Sequence, residues 1–271
     1  MDSKIKEEYI VIDQIRTHIT HSGERNVLLL IHGLGGPLMW QRVLEPLSQH
    51  FQVVIVDLPG FGDSDCPPEQ LTTEQYAEFI VLLMDSLNTQ KATLIGISYG
   101  GQISITVTSL YPKRVEKLIL IASTGLTPSR FFTSGILWSM VSTFMKNVFL
   151  RNRFLLRLSS NLAFYDKDIR PPGLLENFYH QISQKGKRDA WINCMRNAFL
   201  PNKDFSQQLS HLHVPTLILW GENDRTISRK YAFEFRKHIP HSKVQIFSRC
   251  AHSVPLEKPG ELCDAIVEFA K

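Results

Sequence analysis

Cysteine is scarce in this 271-residue chain, and Cys66, Cys194, Cys250 and Cys263 form no Cys-x-x-Cys pair. That spacing argues against a zinc knuckle or a dithiol redox motif. Scattered thiols suit a reducing compartment, although an even number leaves disulfides open. Excess charge is missing too: Lys+Arg 30 against Asp+Glu 26 leaves a formal +4, with no long basic block. The tightest basic groupings, Lys185-Gly186-Lys187-Arg188 and the spread Lys146, Arg151, Arg153, Arg157, read as solvated faces, so nucleic acid is not an expected partner. The start of the chain, Met1 to Glu8, is charged and lacks the apolar stretch of a signal peptide. The most apolar later stretch, Ser134 to Met145, stops at Lys146, short of a bilayer span. A cytoplasmic location without stable membrane insertion is the expectation. Repeats and low-complexity segments are absent, and so is metal-ligand spacing such as His-Glu-x-x-His. The nearest approach is His211-Leu212-His213, and no metal is expected.

What is present is an ordinary globular composition, 43% hydrophobic and 21% charged, at a length that one α/β core can reach. Short runs apolar on every residue recur at Val27–Ile31, Val53–Val56, Ala92–Ile97, Leu118–Ile121 and Thr216–Trp220. Such runs suit parallel strands covered on both faces. Tyr9–Asp13 and Arg16–Thr20 read as an opening hairpin. Helical spacing fills the intervals at Thr73–Leu87, Gln102–Leu110 and Glu257–Phe269. Strand followed by helix, repeated, predicts a doubly wound, mostly parallel sheet of the α/β class. The rhythm fails between about residues 127 and 206. Helix-compatible aromatic segments there, around Phe131–Leu158 and Leu174–Phe199, predict a helical cap inserted after the sixth strand. The expected units are core 1–126, cap 127–206 and core 207–271, with the cap at the carboxyl edge of the sheet, where α/β ligand sites form.

The chemistry gathers at strand ends. Gly96-Ile97-Ser98-Tyr99-Gly100 stands directly after a strand and before a helix. Glycines on either side let strand and helix approach, while Ser98 is held strained with its hydroxyl lifted above the sheet edge. Upstream, His32-Gly33-Leu34-Gly35-Gly36 follows another strand. An acyl-transfer site needs preorganised donors for an oxyanion, and the amides of Leu34 and Tyr99 are the candidates. His32 reads as a brace of that loop. Downstream, Asp224 follows a strand in Trp220-Gly221-Glu222-Asn223-Asp224, and His252 follows another in Cys250-Ala251-His252. The order Ser98, Asp224, His252 is that of a nucleophile, an orienting acid and a general base. Glu222 is the rival acid. His211, His213, His238 and His241 fall on segments expected at the surface.

These stretches, with Asp57-Leu58-Pro59-Gly60-Phe61-Gly62-Asp63-Ser64, resemble the capped α/β-hydrolases over essentially the full chain. The similar branch holds small esterases, haloperoxidase-like enzymes and carbon–carbon bond hydrolases. The resemblance implies the α/β-hydrolase fold, a serine mechanism without cofactor, and a structural part for Asp57 in shaping the sheet edge. Ser98 excludes the chemistry of haloalkane dehalogenases, which use an Asp nucleophile.

For the substrate, a small apolar carboxylic ester or related carbonyl compound is the leading expectation. Cap residues Phe131, Phe132, Leu137, Trp138, Met140, Val141, Phe144 and Met145 either pack the cap or form a greasy pocket. Gly33, Trp138, Trp191, Arg188 and Arg196 are the candidate substrate contacts. Arg188-Asp189-Ala190-Trp191 and Cys194-Met195-Arg196 resemble meta-cleavage hydrolases, in which a cap arginine would clamp a substrate carboxylate. Those enzymes commonly carry Trp directly after the catalytic histidine, where Ser253 stands here. Few acidic residues in the cap count against an aminopeptidase. A small-molecule receptor on the same fold is the reading from another class, and a purely structural role would leave the three strand-end residues without a reason.

Overall fold

The structure, a computed structural model, describes residues 4–126, 135–199 and 205–271. Eight strands form one sheet: β1 (Lys6–Ile12), β2 (Ile15–Ser22), β3 (Val27–Ile31), β4 (Gln52–Val56), β5 (Ala92–Ile97), β6 (Val115–Ile121), β7 (Thr216–Gly221) and β8 (Lys243–Phe247). Their spatial order is β1-β2-β4-β3-β5-β6-β7-β8. The opening hairpin β1–β2 is antiparallel and β2 joins β4 antiparallel; every later pair is parallel.

Alternation along each strand sorts the apolar runs between two faces. Leu29, Ile31, Val54, Val56, Leu94 and Trp220 enter one core cluster. Their immediate neighbours Leu28, Leu30, Val53, Ile55, Ile95 and Leu219 enter the other. Helices cover both. On the first face lie α2 (Thr73–Ser86) and α3 (Tyr99–Leu110); the second is covered by α1 (Leu44–Ser48) and, at the chain's end, Pro259–Ala270. Sequence sets the start of α2 through a capping box, in which Thr72 Oγ1 accepts from the Gln75 amide and the Gln75 side chain accepts from the Thr72 amide. The outer strands differ in kind. β1 begins with exposed Lys6, Glu7 and Glu8, and β8 buries only part of its length, as strands at a sheet edge commonly do.

Between β6 and β7 run α4 (Gly135–Asn147), α5 (Arg153–Ser160), α6 (Leu174–Ser183), α7 (Lys187–Phe199) and α8 (Phe205–Ser210). The helical span expected around Phe131–Leu158 is two helices. Asn152 ends the first stretch and caps α5 by accepting from the amides of Phe154 and Leu155; Phe131 and Phe132 lie outside the described residues. α7 packs most deeply, with Trp191, Cys194, Met195 and Ala198 all buried in the core cluster that holds α3. After β7 come α9 (Lys230–His238), α10 (Val254–Glu257) and α11 (Pro259–Ala270). Parallel strands end on the same edge of the sheet. The loops after β3, β5, β7 and β8 therefore meet at one edge, and the candidate residues sit on those four loops.

Candidate active site

Ser98 occupies the single residue between β5 and α3, at φ 56 and ψ −121. A left-handed φ on a serine stores strain of roughly 1–3 kcal/mol that the surroundings must hold. They do so by backbone bonds on both sides. The Ser98 amide donates to the Ile121 carbonyl at 2.9 Å, and its own carbonyl accepts from Gly101 and Thr124, each at 3.0 Å. The neighbouring glycines are required by space. A Cβ at Gly96 would stand 2.3 Å from the Gly100 carbonyl oxygen, and one at Gly100 would stand 2.1 Å from that of Ile31. The helix then starts without a side-chain cap, so its first amides, Tyr99 included, have no acceptor within the helix and face negative charge favourably.

Asp224 and His252 meet in the structure. Imidazole Nδ1 lies 2.8 Å from Asp224 Oδ2. The other carboxylate oxygen accepts the amides of Thr226 at 2.8 Å and Ile227 at 2.9 Å. The acid is thus fixed in rotation, with its side chain wholly buried while the imidazole keeps slight exposure. With Nδ1 bonded to the carboxylate, the Nε2 side of the ring is left for proton transfer. Two backbone bonds join the acid loop to the histidine loop: the Asn223 amide donates to Cys250 at 2.8 Å and the Glu222 amide to Phe247 at 2.9 Å. They run so close that a Cβ at Gly221 would stand 2.0 Å from the Ala251 carbonyl oxygen. The rival acid Glu222 is exposed and bonds Arg229 at 3.1 Å. His211, His213 and His241 are exposed and His238 is half-buried.

The loop after β3 lies against the elbow. A Cβ on Gly33 would fall 2.8 Å from Ser98 Cβ and 3.1 Å from the Tyr99 amide nitrogen. Leu34, next along, is half-buried, and its carbonyl accepts from Trp191 Nε1 of α7 at 3.0 Å. His32 is fully buried between two loops: Nδ1 donates to the Gly33 carbonyl at 2.7 Å while Nε2 accepts the Leu58 amide at 3.1 Å. Those partners set its tautomer, and burial pushes its pKa down to about 4. A neutral imidazole bonded on both nitrogens braces the loop. Asp57 is likewise structural. Its Oδ2 takes His18 Nδ1 at 2.9 Å and the Asp63 amide at 2.8 Å, folding the 57–64 loop on itself. Donating that hydrogen bond to Asp57 raises the His18 pKa above its ordinary value.

The proposed substrate contacts separate. Gly33 lies against the elbow, and Trp191 bonds the loop after β3. Trp138 and Arg196 instead line a cavity of about 360 Å³ between α4 and α7, with Lys146, Asp189 and Asn193. Arg196 is exposed there. Arg188 is half-buried, and its Nε is buried without an acceptor among the described residues. The face of α7 turned to α2, α3 and the loop after β3 carries Trp191, Cys194 and Asn197. Cys194 Sγ bonds Tyr76 Oη at 3.3 Å, and Asn197 Nδ2 bonds Tyr99 Oη at 3.2 Å. All four thiols are free.

Two residues enter that sequence reasoning passed over or misplaced. Lys187, expected on a solvated face, is buried, because its ammonium donates to the carbonyls of Phe61, Gly62 and Ser64 and pins the 57–64 loop to α7. Burial lowers its pKa. Glu257, on α10, is buried behind the histidine loop. Its Oε1 accepts the Ala251 amide at 2.9 Å and its Oε2 the Tyr165 amide at 2.6 Å, so one carboxylate ties the residue before His252 to the chain after α5. Burial raises its pKa. The available signal was faint: an acid amid the apolar run Val254-Pro255-Leu256.

A family model described as alpha/beta hydrolase fold matches residues 26–259. The chain is similar to a 2-hydroxy-6-oxononadienedioate/2-hydroxy-6-oxononatrienedioate hydrolase of Burkholderia vietnamiensis, 26% identical over 95% of this chain and 92% of that protein. Among solved structures, a 2-hydroxy-6-oxo-6-phenylhexa-2,4-dienoate hydrolase from a Rhodococcus species superposes with a TM-score of 0.82 at 21% identity, covering 99% of both chains. A bacterial membrane phospholipase A superposes with a TM-score of 0.82 at 24% identity, over 98% of this chain and 86% of its own. At those identities the superpositions speak for the fold.

Proposed function

This chain belongs to the α/β-hydrolase fold family and is a hydrolase of the serine type; from that premise we propose that it cleaves a carboxylic ester with an apolar acyl or alcohol part through an acyl-enzyme on Ser98. The observation that carries the proposal is the doubly anchored Asp224, bonded to His252 at the sheet edge that also presents the strained Ser98. His252 takes the Ser98 proton as Oγ attacks the ester carbonyl carbon, and Asp224 stabilises the resulting imidazolium. The amides of Leu34 and Tyr99 bind the carbonyl oxygen as it becomes an oxyanion. Collapse breaks the carbon–oxygen bond and the imidazolium protonates the departing alkoxide. Water, deprotonated by His252, then releases the acid and restores Ser98. Residues 127–206 act as a cap between core segments 1–126 and 207–271.

Support for an ester comes from α7, which turns Trp191, Cys194 and Asn197 toward α2, α3 and the loop after β3 and sends Arg196 to the α4 cavity instead. A second reading, carbon–carbon cleavage of meta-cleavage diketones, is favoured by the names of the similar curated proteins. The two separate in one assay. Wild type and Ser98→Ala are compared on p-nitrophenyl esters of rising acyl length and on a dienone diketone acid. We expect ester turnover in wild type, lowered by roughly 10⁶-fold in the variant, the scale on which removal of a serine nucleophile acts. Preference for the diketone would install the second reading, and equal activity in both proteins would remove Ser98 from its role.

A further inference from the structure

Most of the large apolar side chains left exposed among the described residues fall between residues 137 and 165. They are patterned. Met140 and Phe144 on α4, with Val148 just after it, are spaced by four; so are Phe154 and Leu158 on α5, with Leu162 just after it. Spacing by four places each set on one face of its helix. The exposure is large for such residues, 68% at Met140 and 71% at Phe154, and clustered exposed apolar surface marks an interaction site. Charge in the same stretch has one sign. From Gly135 to Tyr165 the cations are Lys146, Arg151, Arg153 and Arg157, with no Asp or Glu. Lys146 pairs with Asp189, and the Arg153 guanidinium lies 4.5 Å from the Tyr179 ring centroid. Arg151 and Arg157 are exposed beside the α5 stripe.

Exposed apolar stripes flanked by arginines, the nearest acids in the chain being Asp166 and Asp168 beyond the end of the α5 stripe, complement a surface with an apolar interior and an anionic rim. We propose that the exposed α5 stripe docks reversibly on an anionic phospholipid surface, Phe154, Leu158 and Leu162 entering the headgroup boundary and Arg151 and Arg157 meeting lipid phosphates. Its mode is peripheral: no described helix is long and apolar enough to cross a membrane. Amphipathic helices bind such surfaces through buried apolar area plus attraction to anionic lipid. The inference does not depend on which bond the enzyme cuts.

The test is co-sedimentation of the full chain with phosphatidylcholine vesicles, with and without phosphatidylglycerol, alongside sedimentation velocity without lipid. Wild type is expected to bind the anionic vesicles, less so at high salt. Arg157→Gln should weaken binding about fivefold, and Phe154→Ser about tenfold. Both variants should keep the wild-type far-UV circular dichroism and Tm, which shows that they fold without appeal to ester turnover and separates this result from the fate of the ester reading. Equal binding to neutral vesicles, or no binding to either, overturns the proposal. So does a dimer in solution that Phe154→Ser dissociates, since a second copy would then occupy the face.

Discussion

Gly33 offers a quantitative test of how the loop after β3, the proposed oxyanion loop, is held. An added Cβ would stand 2.8 Å from Ser98 Cβ, 2.9 Å from the Ile97 carbonyl oxygen and 3.1 Å from the Tyr99 amide nitrogen. Carbon atoms settle at roughly 3.5–4.0 Å, so Gly33→Ala must open the loop and the elbow by about 0.5–1 Å. Two of the three obstructing atoms are backbone and the third is a Cβ fixed by the backbone, so no rotamer change can move any of them. Gly33 is not among the residues with left-handed φ, which leaves space as the obstacle. A misplacement of about 1 Å costs on the order of 10² in rate, and overpacking costs roughly 1–3 kcal/mol. We therefore expect Gly33→Ala to lower kcat on a p-nitrophenyl ester about 100-fold and to lower Tm by several degrees, at roughly 2–4 °C per kcal/mol. Gly35→Ala is the matched control. Its Cβ would meet only Met39 Cγ at 3.2 Å and Sδ at 3.3 Å, a flexible thioether that can turn away. Near wild-type behaviour is expected of it. A Gly33→Ala enzyme with wild-type kcat and Tm, or an equal loss in Gly35→Ala, would refute the reasoning.

Asp224→Asn keeps an oxygen for the Thr226 and Ile227 amides but presents an amide group to imidazole Nδ1, and kcat should fall by about 10⁴ with little change in folding; undiminished turnover would take the orienting role from Asp224. His32 links stability to pH. Its folded pKa, about 4, lies below the ordinary 6.5, so its contribution is complete above pH 6.5 and is lost as pH falls through about 4, on the order of 3 kcal/mol in all. Urea unfolding across that range should show a shallower acid loss in His32→Asn than in wild type, and parallel slopes would contradict the assignment.

Much of the sheet is legible in the sequence. β3 is apolar throughout and β4 to β7 nearly so over their buried stretches, because both faces are covered there; Glu116 and Lys117 stand at the start of β6, where the strand is less buried. The elbow is legible because steric limits around Ser98 admit only glycine at 96 and 100. Other features have no local signature. Lys187 belongs to a basic tetrapeptide that looks like any solvated loop, and its burial depends on three carbonyls contributed from more than a hundred residues away. Glu257 acts through amides at Ala251 and Tyr165 that only the packing of α10 brings within reach.

Sequence alone determined the class of fold, the order of the strand-end residues and the position of Ser98 at the turn between strand and helix, since these follow from short-range sterics and from hydrophobic alternation along each segment. Tertiary structure alone supplied the partners that separate Asp224, the acid expected from the sequence, from its rival Glu222. Glu222 turns outward to Arg229, while Asp224 turns inward to two amides and an imidazole. It also supplied the two bonding partners and the burial that keep His32, already read as a brace, neutral, and it decided that Arg196 faces the α4 cavity. Each of those outcomes depends on which distant groups arrive at a side chain, and hydrogen-bond partners so far apart in sequence leave no local pattern.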